Sequence, residues 1–166
     1  MRGLLALLLI IALAGCTEPE WKQSEAAGLL LQKGYRLIAY EGQVQSYVLT
    51  REKLTELPYM VYWGLQQAEP ADYIGKTIEV EKFIVRKHPL SEGKVDVFVY
   101  TVEGRPVGGT SYPHKAVLAG GYWSLEGRTL EEIQDKPFQE WRLDWAKKYG
   151  PGEGAESGSE ALNGGQ

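Results

Sequence analysis

Proton transfer or metal ligation in this chain would fall first to its two histidines, His88 and His114. Each sits beside a proline in a loop flanking a strand-like run. No i,i+4 or H-x-H spacing brings them together, and a metal site would need them to converge with a carboxylate such as Asp96 or Glu92. The spacing therefore points to no metal and no cofactor. Nucleophilic chemistry has as little support: Ser111 lies in GGTSYP, which is not the G-x-S-x-G elbow, and no serine stands coupled to a base. Gly104, Gly108 and Gly109 lack a following Lys-Ser/Thr and open no helix, so they read as a turn glycine and a bulge or close backbone approach rather than a phosphate cradle. Glu79 and Glu81, interleaved with Lys82 and Arg86, read as a solvated strand face, and Glu132 has a capping role; glycoside hydrolysis needs two carboxylates facing each other across a cleft, which spacing along one chain does not show. What the chain has in surplus is aromatic. Tyr59, Tyr62 and Trp63 cluster before the main strand-like run, and Tyr112, Tyr122 and Trp123 follow the later hairpin. Aromatic faces stack on sugars and anchor peptides. Tyr59, Tyr62 and Trp63, read as lying in a loop, are the candidate binding residues.

The one cysteine has a different chemistry. Met1 and Arg2 precede an apolar run from Leu4 to Leu13 that closes in Ala14-Gly15-Cys16, the layout of a secretory signal with a small-residue cleavage site. The run falls short of the ~20 apolar residues needed to span a bilayer. Leu13-Ala14-Gly15-Cys16 resembles the bacterial lipobox, which implies cleavage before Cys16, diacylglycerol on its thiol and an amino terminus open to a further acyl chain. Two or more chains hold a protein firmly to a membrane. With no second cysteine there is no disulfide, and a domain of this size can rely on its core. The sequence carries 18 basic against 22 acidic residues, and cleavage removes Arg2. Such an acidic chain is a poor ligand for nucleic acid.

Whatever the folded part does, local periodicity must build it. Ser24 caps a helix from Glu25 to about Lys33, stopped by Gly34. Tyr35 to Tyr40 and Val44 to Leu49 read as a hairpin about a Glu41-Gly42 turn. Thr50 caps a helix through REKLTEL, and a loop follows to Gly75. KTIEVEKFIVRK is the strongest strand, with Ile78, Val80, Lys82 and Ile84 on the expected core face. Glu-Gly turns recur at 103–104 and 126–127, which argues for an antiparallel meander. Thr129 and Glu132 form a capping box. Phe138, Trp141, Trp145 and Tyr149 make one face of a final helix. The expectation is an α+β fold, an antiparallel sheet with flanking helices in a single small domain. Residues 1–15 read as the lipoprotein signal, 16–23 as lipidated cysteine and tether, and 24–149 as the domain. The Gly/Ser/Glu-rich stretch 150–166 reads as a disordered tail.

DYIGKTIEVEKFIVRKHPL, VFVYTVEGRPVGGTSYP, GGYWSLEGRTLEEI and FQEWRLDWAKKYG look like segments of uncharacterised lipoproteins of Gram-positive bacteria that carry a small domain of unknown function. The likeness covers most of 70–149 and its motifs are structural. It implies a cell-surface location and a shared fold, and it transfers no catalytic residue. The expectation is a lipid-anchored module on the outer face of the membrane. It binds or modulates a protein or cell-wall component without catalysing a reaction. An envelope enzyme using His88 or His114, and a structural or stress-related lipoprotein, are the alternatives.

Overall fold

The computed structural model describes residues 19–116 and 121–150. The signal-like segment, Cys16 and nearly all of the C-terminal stretch lie outside the described residues. Among the described residues five strands, β1 (Arg36–Val48), β2 (Thr77–Arg86), β3 (Val95–Val102), β4 (Arg105–Pro113) and β5 (Trp123–Ser124), form one antiparallel sheet in sequential order. Flanking it are the helices α1 (Glu25–Gln32), α2 (Arg51–Thr55), α3 (Tyr59–Gly64), α4 (Leu130–Gln134) and α5 (Phe138–Tyr149). The fold is α+β, as the alternation and turn chemistry require.

The caps are where the sequence places them. The hydroxyls of Ser24 and Thr50 accept backbone N–H groups of Ala27 and Lys53, and the Thr129–Glu132 box closes in both directions. Glu103 and Gly104 turn β3 into β4 with positive φ at both residues. Pro137 separates α4 from α5.

Two expectations about the sheet need correction. Glu41-Gly42 is not a turn, because both halves of the expected hairpin belong to β1 and pair with β2. The register skips Ile38, Glu41 and Val44, so β1 lays 13 residues along the 10 of β2. A positive φ serves a bulge as well as a turn, and Gly42 supplies it at +87°. The second correction concerns β2, which has no single core face. Ile78 and Val80 are buried on one face, whereas Phe83 and Val85 are buried on the other.

The sheet is packed on both sides. On its first face Ile78, Val80, Tyr100 and Val102 meet Leu54 of α2, Met60 and Trp63 of α3, Leu130 of α4 and the Trp141, Trp145, Tyr149 stripe of α5. On its second face Phe83, Val85, Val95, Val97 and Val99 meet Ala26, Ala27 and Leu30 of α1. The packed body also starts earlier than Ser24. Glu20–Gln23 is a 3₁₀ turn, and Trp21 stacks on Tyr40 at 5.5 Å, so these residues are no free tether. Trp21 is partly buried there, packed against the second-face cluster.

β5 pairs with β4 only at Thr110 and Ser111. One residue earlier a side chain takes over from the missing strand. The Gly109 N–H donates to Gln66 Oε1 at 2.7 Å, and Gln66 Nε2 donates back to the Gly109 carbonyl at 3.1 Å. The amide thus mimics a peptide group at a sheet edge.

Candidate functional site

α2 to α5 cover only part of the first face. Beyond them the alternation of β3 puts Asp96, Phe98 and Tyr100 in one row, and the register sets Lys82, Thr110 and Tyr112 beside that row. A pocket of about 420 Å³ opens there. Phe98, Tyr100 and Thr110 line its interior, Tyr62 of α3 and Tyr122 flank it, and Val44 and Gln45 of β1 also line it. Val44 is one of the bulged residues, so the irregularity in β1 is what puts an apolar side chain at this rim.

Asp96 also lines the pocket and is held from two sides. The His114 imidazole lies with Nδ1 2.6 Å from Asp96 Oδ1, and Lys82 Nζ lies 3.4 Å from Oδ2. Lys82 also reaches Glu41 at 2.8 Å. That hydrogen bond, aided by the Asp96 charge, holds the ammonium above its ordinary value. Two phenols of the pocket, Tyr62 and Tyr100, stay protonated. Burial pushes Tyr62 and Tyr100 well above the ordinary tyrosine value, and for Tyr62 the neighbouring Tyr122 adds to the effect. Tyr62 and Tyr122 meet edge to face with centroids 4.7 Å apart.

The three aromatic residues singled out in the sequence have separate fates. Their segment is helical, not a loop. Tyr62 lines the pocket. Tyr59 lies outside its lining, packed on Tyr47 at 4.9 Å and under the Lys53 ammonium at 4.6 Å. Trp63 is 1% exposed, and its indole N–H donates to the Tyr47 hydroxyl at 3.2 Å. It is a core residue and offers no face to a ligand. The residues that sequence reasoning passed over are Phe98, Tyr100 and Thr110. Their signal was the carboxylate of Asp96 inside the otherwise apolar run VDVFVYTV, which marks one face of that strand as polar-lined at one end.

His88 and His114 do not meet. His88 is buried under β5, where Nε2 donates to the Leu125 carbonyl at 2.9 Å and Nδ1 accepts the Leu90 N–H at 3.1 Å. The Tyr35 hydroxyl donates to the same carbonyl at 2.7 Å, so the pair fixes the turn after β5. Ser111 is likewise committed: it is fully buried and its hydroxyl donates to the Ser124 carbonyl. Among the described residues no group of three or more His, Cys, Asp and Glu side chains could hold a metal ion. No described helix is long and apolar enough to cross a membrane.

The burial of His88 gives a pH dependence. Burial lowers its pKa below the ordinary 6.5, against the opposing pull of the Leu125 carbonyl and Glu126. The imidazole is neutral in the fold and gains a proton on unfolding. Its contribution is therefore full above about pH 6.5 and is lost as the pH falls through that value toward the depressed native one. Thermal melts between pH 7 and pH 5 should show the parent losing stability on acidification, with a flatter profile for His88→Gln. Equal slopes for the two proteins would remove His88 from the account.

Comparisons with family models, with curated proteins and with solved structures found no match. The likeness to Gram-positive surface lipoproteins therefore rests on the sequence motifs alone.

Proposed function

We propose that the chain is a lipid-anchored binding module on the outer face of a membrane, held through Cys16, and that it captures an envelope component in the pocket on the first face of the sheet. The observation that supports this reading is the pocket itself. It joins aromatic walls, a paired carboxylate and buried hydroxyls in one concavity, within the ~300–1,000 Å³ range of ligand sites. Placing the pocket on strands of a two-sided sheet keeps its residues in fixed geometry.

The anchor and the pocket are tested separately. Cys16→Ser removes the acceptor thiol, so the variant should take up no fatty-acid label and should leave the membrane fraction. Label on the serine variant, or unchanged partition, would refute the anchor. For the pocket, a photo-crosslinking residue replaces Val44 at the rim in whole cells, with the same residue in place of Leu143, exposed on α5, as reference. Adducts should form from position 44 and not from 143. Equal labelling from both positions, or none from 44, would refute the pocket as the site of capture.

A second reading is favoured by one contact. The 2.6 Å link between Asp96 and His114 is the arrangement that orients a general base, so an envelope enzyme would use His114 and not His88. His114→Gln would then lower turnover by ~10²–10⁴-fold while leaving the fold intact.

A further inference from the structure

The chemistry of the pocket narrows what can occupy it. Asp96 is the one carboxylate among its described lining residues, and both of its oxygens already have partners, the His114 imidazole at Oδ1 and the Lys82 ammonium at Oδ2. Lys82 is itself shared with Glu41. A cationic guest would have to compete with Lys82 and His114 for the Asp96 oxygens. An anionic guest would have to compete with two carboxylates for a single lysine. No other acidic carboxyl, ammonium, guanidinium or imidazole group is among the described lining residues.

An entirely apolar guest is disfavoured for another reason. Tyr100 and Thr110 are 2% and 3% exposed, and one hydrogen bond of 3.2 Å joins their hydroxyls. Two hydroxyls own two O–H donors, and that bond uses one. The second donor needs an acceptor in the pocket, and covering it with hydrocarbon would cost about 1–3 kcal/mol. Asp96 adds to this polarity, because a carboxylate offers about four acceptor sites and its two present partners leave room for incoming O–H groups. Phe98 and Tyr62 supply ring surface next to these polar atoms. The occupant must therefore be neutral, must carry several hydroxyls, and must have an apolar flank to lie on aromatic rings.

Those three requirements describe a sugar ring. We infer that the pocket binds a neutral saccharide unit, with the C–H side of one pyranose against the Phe98 and Tyr62 rings and its hydroxyls on Asp96 and the Tyr100–Thr110 pair. The inference rests on the pocket being the binding site. In that arrangement the Phe98 and Tyr62 rings meet the apolar flank, Asp96 accepts hydrogen bonds and the hydroxyl pair donates one.

The test uses the full lipidated chain in detergent micelles, titrated with neutral hexose and N-acetylhexosamine oligosaccharides, with choline and inorganic phosphate as charged competitors. A neutral oligosaccharide should saturate the protein at or below ~10 mM. Tyr62→Ala should weaken that binding tenfold or more, and Tyr62→Phe, which keeps the ring, should recover most of the loss. Asp96→Asn should weaken it as well, with circular dichroism and melting curves showing that each variant is folded. Cosedimentation with purified cell-wall polysaccharide separates a unit within a polymer from a free sugar, and either supports the inference. Displacement of the sugar by choline or phosphate, or no saturation by any of the saccharides, would overturn it. If position 44 still forms adducts in cells while no saccharide binds, the sugar inference fails alone. If adducts are missing too, the pocket reading fails with it.

Discussion

Trp145→Ala is expected to remove about 3–5 kcal/mol of folding stability, a large share of the ~5–15 kcal/mol typical of a domain. The indole is buried between Trp141 and Tyr149, with ring centroids 4.9 Å and 4.6 Å away, so its loss opens a cavity inside an aromatic stack. It also ties two helices together, because its N–H donates to the Leu54 carbonyl of α2 at 2.6 Å. Trp145→Phe separates the two contributions. It keeps most of the ring volume but leaves the Leu54 carbonyl without that donor, which costs about 1–3 kcal/mol. Denaturant melts should therefore rank the parent above the phenylalanine variant, and that variant above the alanine variant. An alanine variant that melts like the parent would show that α5 is dispensable to the first core.

Gly109→Ala should be nearly as damaging through the opposite mechanism, overpacking. A Cβ at Gly109 would fall well inside contact distance of the Phe98 carbonyl oxygen on β3 and within 2.8 Å of Leu125 Cδ2. The backbone oxygen cannot rotate away, so the β3–β4 pairing must open, at a cost near the upper end of the ~1–3 kcal/mol seen for overpacked sites. Opening it also pulls the peptide group away from the Gln66 amide. Gly104 provides the contrast. It needs its positive φ of +76° but has open space around it, so Gly104→Asn should cost ~1 kcal/mol or less. Equal melting temperatures for Gly109→Ala and Gly104→Asn would mean that the close strand approach is not what the first glycine is for.

These two sites also show what the sequence could disclose. The α5 stripe is legible because Phe138, Trp141, Trp145 and Tyr149 lie within one helix, and a helix fixes which of its own residues share a face. The caps at Ser24, Thr50 and Thr129 are legible for the same reason, since each is decided within a few residues. α3 is not. Tyr-Met-Val-Tyr-Trp-Gly has weak helix propensity, and its six residues are helical because Met60 and Trp63 are buried against the sheet. β1 is easily misread because one glycine signal serves both a turn and a bulge, and only the pairing partner decides between them. The pocket is the hardest to foresee. It takes residues from β1, α3, β2, β3, β4 and the segment before β5, and their convergence depends on a register that the bulge at Val44 helps to set. Asp96 and His114 are each visible as single residues, whereas their contact follows from β3 and β4 lying side by side.

The sheet that faces two ways has a last consequence. β2 and β3 form a wall common to both cores, with Val80 and Tyr100 belonging to one and Phe83 and Val97 to the other. Neither core can be dismantled while its neighbour survives, because the strands lost from one are lost from the other. The two apolar clusters are therefore expected to unfold together in one transition, and removing the α1 side or the α5 side should destabilise the part that remains.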